Sequence, residues 1–253
     1  NIDYEHIDYY KNYQNLETAF IKFINKTPPT GKSLVCTDNK NLKKILKKIK
    51  NKNILSYGFN KKANYKVSNA RYFVDHSLFD LNFKNSKNKK EKIKNINLKL
   101  VGEHNVLNAV SAIAVCLNLG VKIKVIKKAL KNFSGVQRRM TKIFLKNKNE
   151  FFDDYAHHPT EIKSILESVS QVYKDRSIIS VFEPHRYSRV TTLRYAFSKS
   201  FLKSNIVLMC PIYAAGEKKK LNFNFFDFAK LISKNSKTQV IMINSEKELS
   251  NYF

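Results

Sequence analysis

The sequence predicts an α/β protein of two domains, residues 1–134 and residues 135–253. In the second part, apolar segments near residues 150, 178, 206 and 239 alternate with helical patterns in units of roughly 25 residues, which indicates a mostly parallel sheet with helices on both faces. In the first part, segments of alternating polar and apolar residues are typical of half-exposed antiparallel strands. With 253 residues and 43% apolar content, the chain can bury a core in each domain.

A helix over residues 12–26 is predicted near the start of the first domain. Apolar residues recur there at helical spacing, and Pro28-Pro29 prevent its continuation. The residues expected on its buried face are Leu16, Phe20, Phe23 and Ile24. A short strand at residues 34–36 follows, Asp38 is expected to cap the next helix, and residues 54–59 are predicted to form another strand.

The rest of the first domain is predicted to contain antiparallel strands and helices. Alternation over residues 65–81 and 93–101 predicts the strands, and the lysine- and asparagine-rich run at residues 84–95 is expected to be their solvated connection. A segment rich in alanine and valine at residues 107–119 predicts a buried helix, and a second helix is expected at residues 122–132.

The formal net charge of +27 comes from lysines scattered through nearly every segment, accompanied by abundant Asn, Ile, Phe and Tyr. A strong positive field concentrates polyanions, so a basic nucleic-acid-binding module without catalysis is one alternative function. These residues also have A/T-rich codons, and a genome of low GC content explains the same bias. We therefore expect no specific nucleic acid partner.

Several other classes of protein are disfavoured. Cys36, Cys116 and Cys210 form no C-x-x-C pair, so neither a zinc site nor a disulfide framework is predicted. No segment approaches the roughly 18 apolar residues of a membrane span, and no signal peptide is seen, so we expect a cytoplasmic protein without a membrane partner. Gly31-Lys32-Ser33 resembles the end of a phosphate loop, but Lys26 stands where such a loop needs glycine, and the context is helix to strand.

Two short segments, residues 153–161 and 183–189, concentrate histidine, arginine and carboxylate side chains directly after apolar runs. In α/β sheets, ligands bind at the carboxyl ends of strands. His157 and His158 precede a helix that begins at Pro159. The exposed N–H groups of the first turn of that helix can bind an anion. Alternatively, His158 caps this helix and the aspartates make hydrogen bonds within the loop.

The second segment carries Arg186 and Arg189 with His185 beside them, a fork suited to a carboxylate or a phosphate. A solvated basic turn is the alternative. A third strand, near residue 206, ends in residues 213–217, where small side chains permit close approach of the backbone to a ligand. We expect the three strand ends to line one crevice.

Three further groups are candidates for ligand binding. Arg138 and Arg139 lie at the domain boundary, where they contact either a ligand or a carboxylate of the other domain. His104 and Asn108 are four residues apart at the start of a helix, where they either read the edge of a heterocycle or serve in capping. The last group is formed by Asp3, Glu5, His6 and Asp8, which together have the donor atoms for a divalent cation. An ordinary polar loop is the alternative.

Taken in order, these segments resemble the Mur ligase family over essentially the whole chain. The forms Asp-Asp-Tyr-Ala-His-His-Pro-Thr-Glu and Pro-His-Arg-Tyr-Ser-Arg are most similar to those of the alanine-adding members. The resembling segments are residues 1–8, 104–109, 133–139, 153–161, 184–189 and 213–217.

The resemblance implies the later part of a central ATP-binding domain over residues 1–134. A Rossmann-like carboxy-terminal ligase domain, truncated at its end, is implied over residues 135–253. It also implies an ATP- and Mg²⁺-dependent enzyme of peptidoglycan precursor synthesis in the bacterial cytoplasm, which joins L-alanine to the carboxylate of UDP-N-acetylmuramate through an acyl phosphate. A recycling member that attaches a whole peptide is the alternative, disfavoured by His185-Arg186-Tyr187.

By matching position, the resemblance implies a role for each candidate. His6 is similar to a magnesium ligand, and the ATP contacts implied are His104 and Asn108 at the adenine, Arg138 or its neighbour at the phosphates, and Asp154 at the nucleotide. The alanine and muramoyl carboxylates are expected at the arginine fork. The implied catalytic residues are His157, His185, Arg186 and Arg189, and Tyr155 joins them as a substrate contact.

The sequence also departs from the family pattern. It contains neither the Gly-Lys-Thr phosphate loop nor the separate uridine-nucleotide-binding domain, and it begins with Asn1 rather than Met. The Gly-rich segment expected near the carboxyl terminus is missing as well. We therefore expect that the phosphate-binding half lies outside this chain and that the chain alone does not turn over.

Overall fold

The computed structural model describes residues 1–85, 87–218 and 223–253. The chain divides into two compact units, Asn1–Ser134 and Gly135–Phe253. Each unit has its own sheets and its own buried apolar clusters.

The first unit combines helices with a five-stranded sheet. Its elements are α1 (Ile7–Tyr10), α2 (Tyr13–Asn25), β1 (Ser33–Cys36), α3 (Lys40–Ile45), β2 (Ile54–Gly58), β3 (Tyr65–Tyr72), β4 (Ser77–Lys84), β5 (Lys90–Leu98), α4 (Glu103–Asn118) and α5 (Ile123–Asn132). A single 3₁₀ turn, Leu46–Lys48, follows α3.

The sheet of the first unit has the order β1-β2-β3-β4-β5. Strands β1, β2 and β3 pair in parallel, whereas β3, β4 and β5 pair antiparallel, which confirms the antiparallel prediction for this region. The lysine- and asparagine-rich run is not all connection, because β5 begins at Lys90. This edge strand accepts lysines on its solvent face while Ile93 and Ile96 point into the core.

Two local expectations for the first unit are wrong. In α2 the buried stripe is rotated toward Glu17, whose side chain pairs with Lys48, so Phe23 is 77% exposed. The cap of α3 is Asn39, and the carboxylate of Asp38 instead accepts the backbone N–H groups that follow Gly58. Short-range spacing fixes neither the rotation of a helix nor which of two adjacent polar residues caps it.

The second unit contains ten elements within the described residues. They are β6 (Thr141–Lys146), β7 (Asn149–Asp153), α6 (Pro159–Val172), β8 (Ile179–Phe182), α7 (Tyr187–Thr192), α8 (Arg194–Ser198), β9 (Ile206–Met209), α9 (Phe225–Ser236), β10 (Gln239–Met242) and α10 (Glu246–Asn251).

Strands β10, β9 and β8 form a parallel sheet in that order, as predicted for the segments near residues 178, 206 and 239. The strand near residue 150 does not join it: β7 pairs antiparallel with β6, a strand that the sequence pattern did not indicate. Asn147 and Lys148 connect the two strands with φ values of 50° and 66°. Two consecutive positive φ angles are typical of a tight hairpin turn, which explains this local pairing.

The core of the second unit lies around the parallel sheet. Its members are buried side chains of β8, β9 and the surrounding helices: Ile162, Leu166, Phe182, Val190, Phe197, Phe201, Val207, Met209, Phe228, Ala229 and Ile232. Within the described part of the chain, no helix combines the length and apolar character needed to cross a membrane.

Candidate functional site

The loop after β7 ends in a capped helix. Pro159 is the first residue of α6, and His158 is its N-cap, with Nδ1 accepting the N–H of Thr160 at 3.3 Å. The Glu161 carboxylate completes a capping box, since its Oε2 accepts the N–H groups of His157 and His158 at 3.1 and 3.2 Å. His158 therefore has the capping role that the sequence left open.

Asp154 fastens this loop to the start of the hairpin. Its Oδ2 accepts the N–H of Met140 at 2.8 Å, and its Oδ1 accepts the N–H of Ala156 at 2.7 Å. Burial raises the pKa of the Asp154 carboxyl, and the two N–H donors only partly oppose this. Both oxygens thus hold the fold of the loop.

The two arginines at the beginning of the second unit also contact this loop. Arg138 lies with its guanidinium 4.8 Å from the ring centroid of Tyr155, and its Nε is 3.4 Å from Oδ2 of Asp153. Arg139 Nη1 lies 3.5 Å from Oε1 of Glu161. Both arginine side chains are more than half exposed, so they remain accessible to an anion.

Aromatic contacts join the three loops. The rings of Tyr155 and His157 have centroids 5.0 Å apart, and those of His157 and His185 are 6.0 Å apart. His185 in turn lies 5.4 Å from the ring of Tyr213, in the loop after β9. The structure therefore brings together the ends of β7, β8 and β9, although β7 belongs to a different sheet.

His185 and Arg189 form the polar centre of this cluster. Nη1 of Arg189 lies 3.0 Å from Nδ1 of His185. Burial lowers the pKa of His185, and electrostatic interactions with Arg189, His157 and Arg186 lower it further. Because a guanidinium only donates, Nδ1 accepts and the imidazole carries its proton on Nε2. The site thus offers a neutral N–H donor next to two guanidinium groups.

Arg186 adopts an unusual backbone conformation between β8 and α7. Its φ and ψ are 68° and 129°, and its N–H donates to the carbonyl of Tyr213 at 2.9 Å. Such angles are sparsely populated for any residue but glycine, and they occur where the surrounding structure holds them, often at functional sites. The surrounding structure therefore holds Arg186 in this conformation, and a ligand site at this turn stays a prediction.

One residue that the sequence did not assign completes the arrangement. The carboxylate of Glu217 accepts the N–H of Ser188 at 2.9 Å and also the Ser188 hydroxyl. The sequence did offer a signal for Glu217. It stands at the end of the motif at residues 213–217, and acidic residues are scarce in this chain, 20 against 47 basic ones.

The remaining candidates lie in the first unit. His104 is half-buried in the first turn of α4 and Asn108 is exposed one turn later. The N-cap of α4 is Gly102, without a side-chain bond, so neither residue caps this helix. His6 has an exposed side chain, a φ of 53°, and a carbonyl that accepts two N–H groups of α1.

The proposed cation cluster around His6 is incomplete in the described structure. Among the side chains that the structure describes, no group of three or more histidine, cysteine or carboxylate residues is arranged to hold a metal ion. The side chain of Asp8, a member of the predicted cluster, lies outside this set. His6 stays a predicted ligand in the described part of the chain.

Two protein-family models match the chain. The model described as Mur ligase middle domain matches residues 1–116, and the model described as Mur ligase, glutamate ligase domain, matches residues 138–247. The chain belongs to the Mur ligase family. This assignment accounts for the order of the motifs in both units.

Curated relatives in this Mur ligase family match along nearly the whole chain. A UDP-N-acetylmuramate--L-alanine ligase of Pelagibacter ubique is 46% identical over 252 residues, which cover 100% of this chain and 54% of the relative. The protein of the same name from Hydrogenobaculum is 39% identical over 249 residues, 98% of this chain and 53% of the relative. The chain spans about half the length of these relatives.

Solved Mur ligase structures share the fold. The UDP-N-acetylmuramate-alanine ligase of Thermotoga maritima has a TM-score of 0.69 at 23% identity. The match covers 99% of this chain and 51% of the Thermotoga maritima chain. MurF from Acinetobacter baumannii has a TM-score of 0.74 at 19% identity, with 100% and 51% covered. At this identity the likeness concerns the fold alone.

Proposed function

We propose that the chain forms part of an ATP-dependent ligase that joins L-alanine to the carboxylate of UDP-N-acetylmuramate in the bacterial cytoplasm, a step of peptidoglycan precursor synthesis. The observation that carries the proposal is the 46% identity, over the whole chain, to a Pelagibacter ubique relative named for this reaction. The neutral His185 beside two guanidinium groups supports it, because both substrates present a carboxylate to the enzyme.

The proposed reaction proceeds in two steps. An oxygen of the muramate carboxylate attacks the γ-phosphorus of ATP, forming an acyl phosphate and releasing ADP. The amine of L-alanine then attacks the acyl carbon, phosphate leaves with the bonding electrons, and the amine loses a proton. Transfer of a phosphoryl group depends mostly on positioning and on neutralising charge.

The residues of the second unit suit the carboxylate-binding part of this chemistry. Arg186 and Arg189 are proposed to hold the alanine and muramoyl carboxylates, since a guanidinium pairs with a carboxylate through two parallel hydrogen bonds. His185 would donate its Nε2 proton to an oxygen of the same substrates. His157 and Tyr155 would form the wall of this site through their ring contacts.

Candidate nucleotide contacts are proposed for each unit separately. His104 and Asn108 of α4 would bind adenine through hydrogen bonds at its edge, and the exposed guanidinium of Arg138 would meet the phosphates. Asp154 would act at the nucleotide mainly by holding its loop, since both its oxygens accept backbone N–H groups. We propose His6 as one magnesium ligand. Because the described side chains do not complete a metal site, no step is assigned to the metal.

Substrate dependence in a hybrid enzyme tests the function. The hybrid is the Pelagibacter ubique relative with its matched 252-residue segment replaced by this chain. We expect phosphate release from ATP only when UDP-N-acetylmuramate and L-alanine are both present. Release that requires a peptide instead of L-alanine would favour the recycling ligase, and release that ignores both acceptors would refute the proposal.

Salt-titrated binding of the chain to a random oligonucleotide tests the alternative that rests on the charge of +27. Binding by phosphate contacts weakens steeply with salt, so a nucleic-acid-binding module must still bind with useful affinity near physiological ionic strength. We expect that affinity to be lost for this chain. Retained binding, together with an inactive hybrid, would support the binding module.

A further inference from the structure

Glu217 connects the loop after β9 to the first turn of α7. Its two carboxylate oxygens bind the N–H and the hydroxyl of Ser188, which lies between Arg186 and Arg189 in the chain. We propose that Glu217 is a positioning residue for the ligase reaction, fixing α7 so that both guanidinium groups face the substrate carboxylates. This inference rests on the proposed function.

The loop that carries Glu217 is shaped to return its side chain to α7. Ala215 and Gly216 have φ values of 50° and 84°, which turn the chain sharply before Glu217. A hydrogen bond from the N–H of Glu217 to the carbonyl of Ala214 at 3.0 Å closes the turn. The carboxylate is half-buried, and hydrogen bonds to an ionised acceptor are stronger than neutral ones.

The backbone of Arg186 explains why such an anchor is needed. With φ at 68° it adopts a conformation that a non-glycine residue leaves when it is free to do so. Its carbonyl accepts the N–H of Val190 within α7 at 3.1 Å, and two further contacts come from the loop after β9. One is the bond from its own N–H to the carbonyl of Tyr213, and the other is the grip of Glu217 on Ser188, two residues further along. Without Glu217, Arg186 can relax and its guanidinium moves.

The same carboxylate also acts on His185 through its charge. Arg189, His157 and Arg186 all lower the pKa of His185, beside the larger effect of burial, and Glu217 is the group that raises it. This opposition gives a readout of the position of Glu217 that needs no substrate.

The first experiment measures the pKa of His185 by NMR in this chain. Replacing Glu217 by glutamine removes its charge but keeps an acceptor oxygen, so we expect the pKa of His185 to fall. Glu167→Gln is the matched control, because it removes the same charge from an exposed pair on α6. An unchanged pKa in Glu217→Gln, or an equal change in the control, would overturn the placement of Glu217.

The second experiment measures kinetics in the hybrid enzyme. We expect Glu217→Ala to raise the KM for L-alanine or for UDP-N-acetylmuramate roughly tenfold or more, with little change in the KM for ATP. Ser188→Ala should have a smaller effect, since the backbone N–H remains, and Ser188→Thr should restore the original value. If Glu217→Ala leaves both acceptor constants within about twofold, the inference is wrong.

The two experiments separate this inference from the function on which it rests. If the unsubstituted hybrid does not use L-alanine while the pKa of His185 responds to Glu217→Gln, the proposed function fails and the contact with α7 stands. If the hybrid is active but substitution of Glu217 changes neither the pKa of His185 nor the KM values for L-alanine and UDP-N-acetylmuramate, the positioning role is refuted and the proposed function stands.

Discussion

Replacing Asp154 by alanine should destabilise the second unit by about 2–4 kcal/mol. The carboxylate accepts two backbone N–H groups, at 2.8 Å from Met140 and 2.7 Å from Ala156, and it is half-buried. Each hydrogen bond to a charged group contributes about 1.5–3 kcal/mol, so the two bonds sum to about 3–6 kcal/mol. The partial exposure of the carboxylate and the burial cost that raises its pKa both reduce this sum. Asp154→Asn keeps one acceptor and should lose roughly half as much.

Urea unfolding of the chain, followed by NMR, measures this effect. The amide of Val207 reports the second unit, because this residue is fully buried in β9. Asp153→Ala is the matched control, since it removes a neighbouring carboxylate whose exposed pair with Arg138 contributes at most about 1 kcal/mol. If the two alanine variants agree within about 0.5 kcal/mol, Asp154 does not hold the loop and a direct nucleotide contact is favoured.

Two predictions concern the stability of the first unit. The backbone N–H of Asn95 helps hold the pKa of Asp80 at about 2, below its ordinary 3.8, so Asp80→Asn should cost about 2 kcal/mol at neutral pH. The folded state stabilises the ionised form of Asp80, which is why its pKa is lowered. The stability difference between the native chain and Asp80→Asn is therefore present above about pH 4 and disappears toward pH 2 in urea titrations. Gly58→Ala should cost more than about 1 kcal/mol, because φ is 149° and the new Cβ would lie 2.5 Å from Oδ2 of Asp38. Gly120→Ala, with φ of 79° and open space around it, should cost less in the same assay, and equal losses would contradict the steric argument.

The sequence predicted most of the elements of the fold, and the failure to predict β6 has a physical cause. Apolar runs separated by helical patterns predicted the parallel sheet, because its strands are buried by helices that the pattern also reveals. Strand β6 was not predicted because Ile143, Phe144 and Leu145 are all about half exposed, so no alternation of polar and apolar residues indicates a buried face. Its turn, Asn147-Lys148, also lacks the glycine that usually signals a tight hairpin.

The sequence predicted those parts of the candidate site whose residues are close together in the chain. Histidines and arginines directly after apolar runs identified the loops, because the ends of neighbouring strands lie together. The partners of Asp154 and Glu217 were not predictable. Met140 is reached through the hairpin that the sequence pattern did not indicate. Ser188 lies 29 residues from Glu217 and is brought close by the pairing of β8 with β9.

The arginine fork is tested most directly by the KM for L-alanine in the hybrid enzyme. We predict that Arg186→Ala/Arg189→Ala raises this constant at least about thirtyfold, because losing one partner of a buried charged pair costs about 2 kcal/mol or more. Arg176→Ala is the control, since this arginine pairs with Glu150 away from the fork. An unchanged KM together with unchanged turnover in the double variant would contradict the account.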